Sequence, residues 1–204
     1  MEATIFEAHY ENYCRQIGEL DLQSKTDTLD IKLNGSDAII PFFGEKYIVS
    51  GSGIADAFGN RPDYGVCVIL SKYLLLCPDA PVANTEWSTL KDFHKSSQFT
   101  NLNVFASDAE QPIIKTFSGR IDALKNAAEK LGGTPGELSS SYDLAMAFTA
   151  LPKIKIQLVF NDCDDAFPAS CSLLFQKQAE DHLDPESLIM VGIALTNRLK
   201  KLSI

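Results

Sequence analysis

Residues 141–176, SYDLAMAFTALPKIKIQLVFNDCDDAFPASCSLLFQ, decide the fold class. Three runs of strand length, SYDLAMAFTA, KIKIQLVFND and SCSLLFQ, are separated by Leu151–Pro152 and by an acidic knot. In the second run Lys153, Lys155 and Gln157 alternate with Ile154, Ile156 and Leu158. A period of two is the signature of a strand with one buried face, and short connections between consecutive strands predict antiparallel pairing.

Helical patterns lie on either side of these strands. Downstream, Asp184–Pro185 supplies an N-cap and a first-turn proline, and PESLIMVGIALTNRLKK ends in the basic residues that suit a helix C-terminus. Upstream, SGRIDALKNAAEKLGG places Ile121, Leu124, Ala128 and Leu131 on one face, with Ser118 as the expected cap and Gly132–Gly133 as the stop. GGTPGELSSS then has the composition of a mobile loop, and residues 100–117 suit one or two short helices. DYGVCVILSKYLLLC is too long for one strand and reads as a buried helix stopped by Pro78. TEWSTLKDF follows as a strand.

At the N-terminus Phe6, Tyr10, Tyr13 and Ile17 form a helical stripe ending near Gly18. TLDIKL, AIIPFF and KYIVSG are short runs punctuated by NGSD and GE, which predicts a small antiparallel meander. Strands and helices in separate runs indicate an α+β fold with mostly antiparallel sheet and a helix at each end. The length of 204 residues fits a single domain, or two lobes sharing a core and divided near residue 62.

The net charge of −9, with no dense basic stripe, argues against a nucleic-acid partner, because such binding rests on Lys and Arg neutralising phosphates. No secretory signal is visible, and YGVCVILSKYLLLC is too short to span a bilayer, so a soluble cytoplasmic protein is expected. Cys14, Cys67, Cys77, Cys163 and Cys171 contain no C-x-x-C pair and suit reduced thiols.

Asp162, Asp164 and Asp165 are the candidate metal ligands, since a cation would relieve the repulsion among crowded carboxylates. Their spacing does not match an EF-hand, and a solvated turn is favoured, because Asn and Asp hydrogen-bond their own backbone in turns. Cys163 beside these acids makes a poor nucleophile. His9, His94 and His182 are far apart; His182 in EDHLD and His94 after LKDF are candidate general bases without a nucleophile motif to partner them. SGSGIADAFGN, residues 50–60, has Asp56 where a dinucleotide fingerprint needs its third glycine, and reads as a plain turn. Trp87, Phe93, Phe99, Phe105 and Phe117 concentrate aromatic residues mid-chain; Trp87, Phe93 and Phe105 with Arg120 are the candidate ligand-binding set, and core packing is the competing reading.

Taken together, LPKIKIQLVFNDCDDAFPASCSLLFQKQAEDHLDPESLIMVG resembles the prokaryotic family DUF3786. The resemblance rests on Leu151–Pro152, Asp164–Asp165, Phe167–Pro168–Ala169, Leu174–Phe175 and Leu183–Asp184. Upstream it extends through ILSKYLLLCPDAPVANTEWSTLKDF, Phe105, Phe117 and AAEKLGGTP, so it covers residue 64 to the end. Gln176 stands where the family usually has an acid, which weakens any ligand role there. The resemblance implies no particular activity. Relatives joined to iron–sulfur segments hint at redox or cofactor-related physiology, and this chain has no such cysteine cluster.

The expectation is therefore a non-catalytic module that binds a protein partner or a small cofactor beside the aromatic middle segment. The alternative is a metal-dependent enzyme using Asp162, Asp164 and Asp165. The identity of the cofactor and self-association into a homo-oligomer stay open.

Overall fold

The computed structural model describes residues 2–93 and 102–203, so His94 and Phe99 lie outside the described residues. The apolar stripe of the first segment forms helix α1, Glu2–Gly18, and buries Tyr10, Cys14 and Ile17. Phe6 stays partly exposed and stacks on Tyr64 with ring centroids 4.6 Å apart. A short helix α2, Thr26–Leu29, takes the first residues of the expected TLDIKL strand; Asp30 then turns left-handed at φ 54° and ends it.

Four antiparallel strands follow in the order β1-β2-β3-β4: β1 Lys32–Asn34, β2 Asp37–Phe42, β3 Glu45–Ser50 and β4 Gly53–Asp56. The fourth strand is a correction to the plain turn expected at residues 50–60. The β2–β3 turn has φ of 48° at Phe43 and 81° at Gly44, the pair of positive angles that a two-residue hairpin with native twist requires. A phenylalanine is costly at such an angle. Its amide donates to Ala150 O at 2.9 Å, which ties this hairpin to the second sheet.

Helix α3, Tyr64–Leu75, is buried from Val66 to Leu74 except for Lys72, as its nearly unbroken apolar sequence requires. Its N-cap Asp63 accepts the Val66 amide at 3.0 Å. Strand β5, Trp87–Thr89, is only three residues long, and Leu90–Asp92 winds into a 3₁₀ turn instead of extending the expected strand. Helix α4, Leu102–Phe105, continues through a π-helical segment, Ala106–Glu110, into α5, Gln111–Phe117. Ser118 closes α5, so it does not cap α6, Ile121–Lys130, whose N-cap position is Arg120 without a side-chain cap bond.

The second sheet is antiparallel in the order β5-β9-β8-β7-β6, with β6 Thr134–Pro135, β7 Leu144–Leu151, β8 Ile154–Asn161 and β9 Ser170–Gln176. The three strands expected between residues 141 and 176 are all present. The expected mobile loop is instead anchored: Gly136 N donates to Ala145 O at 2.9 Å and Glu137 N to Gln157 Oε1 at 3.3 Å. This segment lays Leu138 and Tyr142 beside Trp87 on the back of the sheet over Val159 and Leu174. Gln157 is consequently buried, and the alternation of β8 gives way to burial on both faces.

A short helix α7, Ala179–His182, leads to α8, Pro185–Leu202, where Asp184 Oδ1 accepts the Ser187 amide at 2.8 Å. Helix α8 packs against α3, α6 and the run from α4 to α5, so the main core is continuous through helices and both sheets.

Two contacts hold α1 to the meander. Ile54 N donates to Tyr10 Oη at 2.9 Å, and Gly18 meets the β3–β4 turn so closely that a Cβ on Gly51 would lie 2.7 Å from the Gly18 Cα. Both sides of that approach are backbone and cannot yield. Gly51→Ala is expected to lower stability by about 1–3 kcal/mol, the usual cost of overpacking, read as a reduced urea midpoint with an unchanged m-value.

Candidate functional site

The largest concavity described, about 450 Å³, opens between the meander and the last turns of α8. On β3, residues two apart share a face, so Glu45 and Tyr47 project together and the Tyr47 hydroxyl donates to Glu45 Oε2 at 2.8 Å. Arg198 reaches across from α8, donating from Nη2 to the same oxygen at 3.1 Å. Its guanidinium carbon lies 4.9 Å from the Phe42 ring centroid and 5.2 Å from that of Phe43, so cation–π attraction adds to the ion pair. The β2–β3 hairpin thereby presents both the aromatic platform and the carboxylate that fix one arginine.

Asp56 and Asp63 line the same cleft. Asp56 Oδ1 accepts the amides of Asn60 and Phe58 at 2.9 and 2.8 Å, and these bonds hold its carboxyl below the usual range. Asp63 is occupied as the α3 cap. Asn197 and Lys201, one helical turn apart on α8, also line the cleft, and among the described residues neither side chain has a partner. Burial first, and then the neighbouring Glu45 carboxylate, push the Tyr47 phenol up to about 12. At neutral pH it is a fixed donor and not a base. Smaller hollows on either side share Asp63, Asn197 and Arg198, or Glu45, Tyr47 and Asp56, so the concave surface is continuous.

No sequence motif joined these residues, although Asp56 stood out in the segment 50–60. The cleft joins positions 45 and 198, and only the tertiary fold brings them together. The aromatic set singled out from the sequence is dispersed. Phe93 and Phe105 are buried beside Phe175, with ring centroids 6.5 and 6.2 Å from it. Trp87 lies on the opposite face of the sheet, its Nε1 donating to Glu137 Oε2 at 2.9 Å. Arg120 is exposed at the start of α6. His182 is fully buried, with its ring centroid 6.1 Å from that of Tyr73, and His9 is exposed on α1.

The acidic turn directs two of its carboxylates at backbone. Asp162 Oδ1 accepts Gly119 N at 2.6 Å and Cys163 N at 2.8 Å, while Asp164 Oδ1 accepts Ala166 N and Phe167 N, each at 2.7 Å. Asp165 is exposed. Among the described residues no group of three His, Cys, Asp or Glu side chains is placed to hold a metal ion. Desolvation raises the Asp162 carboxyl, but its backbone amide bonds outweigh that, and it sits below the usual range; the Ala166 and Phe167 amides lower Asp164. All five cysteines are free; burial raises the thiol of Cys67 to about 11 and that of Cys171 further still.

Two pH dependences follow. A carboxyl lowered by folding stabilises the native state above its unfolded pKa of about 4 and loses that contribution as pH falls through its folded value. Asp162→Asn should therefore flatten the acid limb of urea midpoint against pH. A raised phenol works in the opposite direction: the Tyr47 contribution is full below about 10 and is lost as pH rises toward 12. Tyr73, also raised by burial, adds to that limb, so Tyr47→Phe should make alkaline destabilisation shallower without abolishing it.

Among the described residues no helix is long and apolar enough to cross a membrane. No curated protein and no solved structure matches the chain significantly. The sequence model of the domain of unknown function DUF3786 matches residues 21–198, from the residues before α2 to the arginine of the cleft. The cleft lining falls within that match except for Lys201 and Leu202, which lie beyond it, and the chain belongs to the DUF3786 family.

Proposed function

We propose that this chain is a non-catalytic cytoplasmic binding module and that its cleft between β3, β4 and α8 holds a small polar, cofactor-like ligand. The observation that carries the reading is the pair of unpartnered donors, Asn197 and Lys201, set beside a pinned Arg198 over a cavity of about 450 Å³. Ligand sites of this size combine apolar wall with a few convergent polar groups. The ligand carries an anionic or carbonyl group for Asn197 and Lys201, and a hydrogen-bond donor for the carboxylates of Asp56 and Asp63.

The chemistry of the lining favours binding over catalysis. Among the described residues no Ser, Cys or His lines the cleft, and its phenol is held protonated. Arg198 and Glu45 are already committed to each other, which suits a rigid recognition surface better than proton transfer. The excess of acidic residues argues against a nucleic-acid partner.

Native mass spectrometry of the purified chain tests this, compared with the double variant Asn197→Ala, Lys201→Ala. Both residues are exposed, so the variant should melt with the parent chain. A small mass retained by the parent and lost by the variant is expected. A bare parent chain, or equal retention by both, overturns the reading.

A further inference from the structure

A second, smaller pocket of about 220 Å³ shares no lining residue with the cleft. We propose that it is a binding site for a primary alkylammonium group, with the Glu110 carboxylate as its counter-ion. Two irregularities of the fold create it. Strand β5 stops at Thr89 opposite Leu174, which leaves the Leu173 amide at an uncovered stretch of the β9 edge. The π-helical segment, closed by Gln111 N on Ala106 O, brings Glu110 to that edge, where Oε1 accepts Leu173 N at 3.0 Å. Inserted π turns of this kind are frequent at functional sites.

That amide is the one partner Glu110 has among the described residues, and no cation pairs with it. Lys91 lines the pocket too but forms no ion pair with Glu110. Among the described residues this partly buried carboxylate gains no counter-charge for the water it has lost, and its carboxyl is raised, by desolvation first and with only partial relief from the Leu173 amide. A ligand cation restores the balance.

The rest of the lining selects the kind of cation. Leu90, Phe105 and Leu173 offer apolar surface for a short methylene stem, while the hydroxyls of Thr89 and Ser172 supply acceptors for the remaining N–H groups of an ammonium. A divalent metal ion is disfavoured, because it needs several oxygen ligands and the pocket supplies one carboxylate. The ammonium belongs either to a free alkylamine or to a lysine side chain of a partner protein; the recognition chemistry is the same.

The test is titration of the full chain with n-butylammonium, followed by calorimetry and by the amide resonance of Leu173. Binding is expected in the parent chain and should weaken by at least about tenfold in Glu110→Gln, which removes the charge but keeps an acceptor for Leu173 N. n-Butanol, the uncharged counterpart, should not compete. Blocked lysine, N-acetyl-lysine amide, identifies the source: tighter binding than n-butylammonium assigns the site to a partner's lysine, and weaker binding assigns it to a free amine. No binding of either amine by the parent chain, or equal binding by a folded Glu110→Gln variant, overturns the proposal and leaves Glu110 as a cap for the β9 edge.

Discussion

The burial of α8 is the constraint on which the rest of the molecule depends. Leu188, Val191, Leu195 and Leu199 recur at helical spacing and are each fully buried, which contributes on the order of 1.5–3 kcal/mol per side chain. The helix touches α3, α6 and the run from α4 to α5, so displacing it would open the packing of all three together. Its polar contacts are smaller in energy and set its position. Asp184 caps its first turn and pairs with Lys72 at 3.2 Å, Thr196 Oγ1 donates to Ala109 O at 2.7 Å, and Arg198 reaches Glu45. Partly exposed ion pairs contribute about 0–1 kcal/mol each, so they fix rotation and register where the leucines supply stability.

That fixing has a consequence for the cleft. Its donors sit on the last turns of α8, and its carboxylates on β3, β4 and the cap of α3. Because Thr196 is bonded to the π-helical segment and Arg198 to the meander, the backbone of Asn197 is held by neighbours on both sides. Rigid elements position recognition groups more accurately than loops do.

Much of the architecture was legible because it follows from local periodicity. The strands between residues 144 and 176, the Asp184–Pro185 start of α8 and the buried helix ending before Pro78 each carry their own signal. The misreadings have a common cause, which is tertiary context overriding local pattern. Gln157 looks like a solvent-facing position until residues 136–138 fold over it, and Ser118 looks like a helix start although it ends the helix before. The cleft was not legible at all. Glu45, Tyr47 and Arg198 are ordinary residues on ordinary elements, and their chemistry arises from a contact across 153 residues of chain. The acidic turn had the opposite character: its composition drew attention, while its Asp162 and Asp164 side chains are directed at nearby amides.

The two concave sites differ in the state of their carboxylates, and that difference decides what each can take. In the cleft, Asp56 and Asp63 accept backbone amides and Glu45 has both a phenol and a guanidinium, so these negative charges are stabilised without a ligand. The groups there without a partner among the described residues, Asn197 and Lys201, are donors, and they select for an acceptor. At the β9 edge the order is reversed: among the described residues Glu110 has one amide, and the hydroxyls beside it retain acceptor capacity. The acids of the cleft thus already have local partners, whereas Glu110 has one amide among the described residues. Because an unmet hydrogen bond or charge in a partly desolvated pocket costs more than a met one returns, the groups left unmet carry more information about ligands than the larger number already paired.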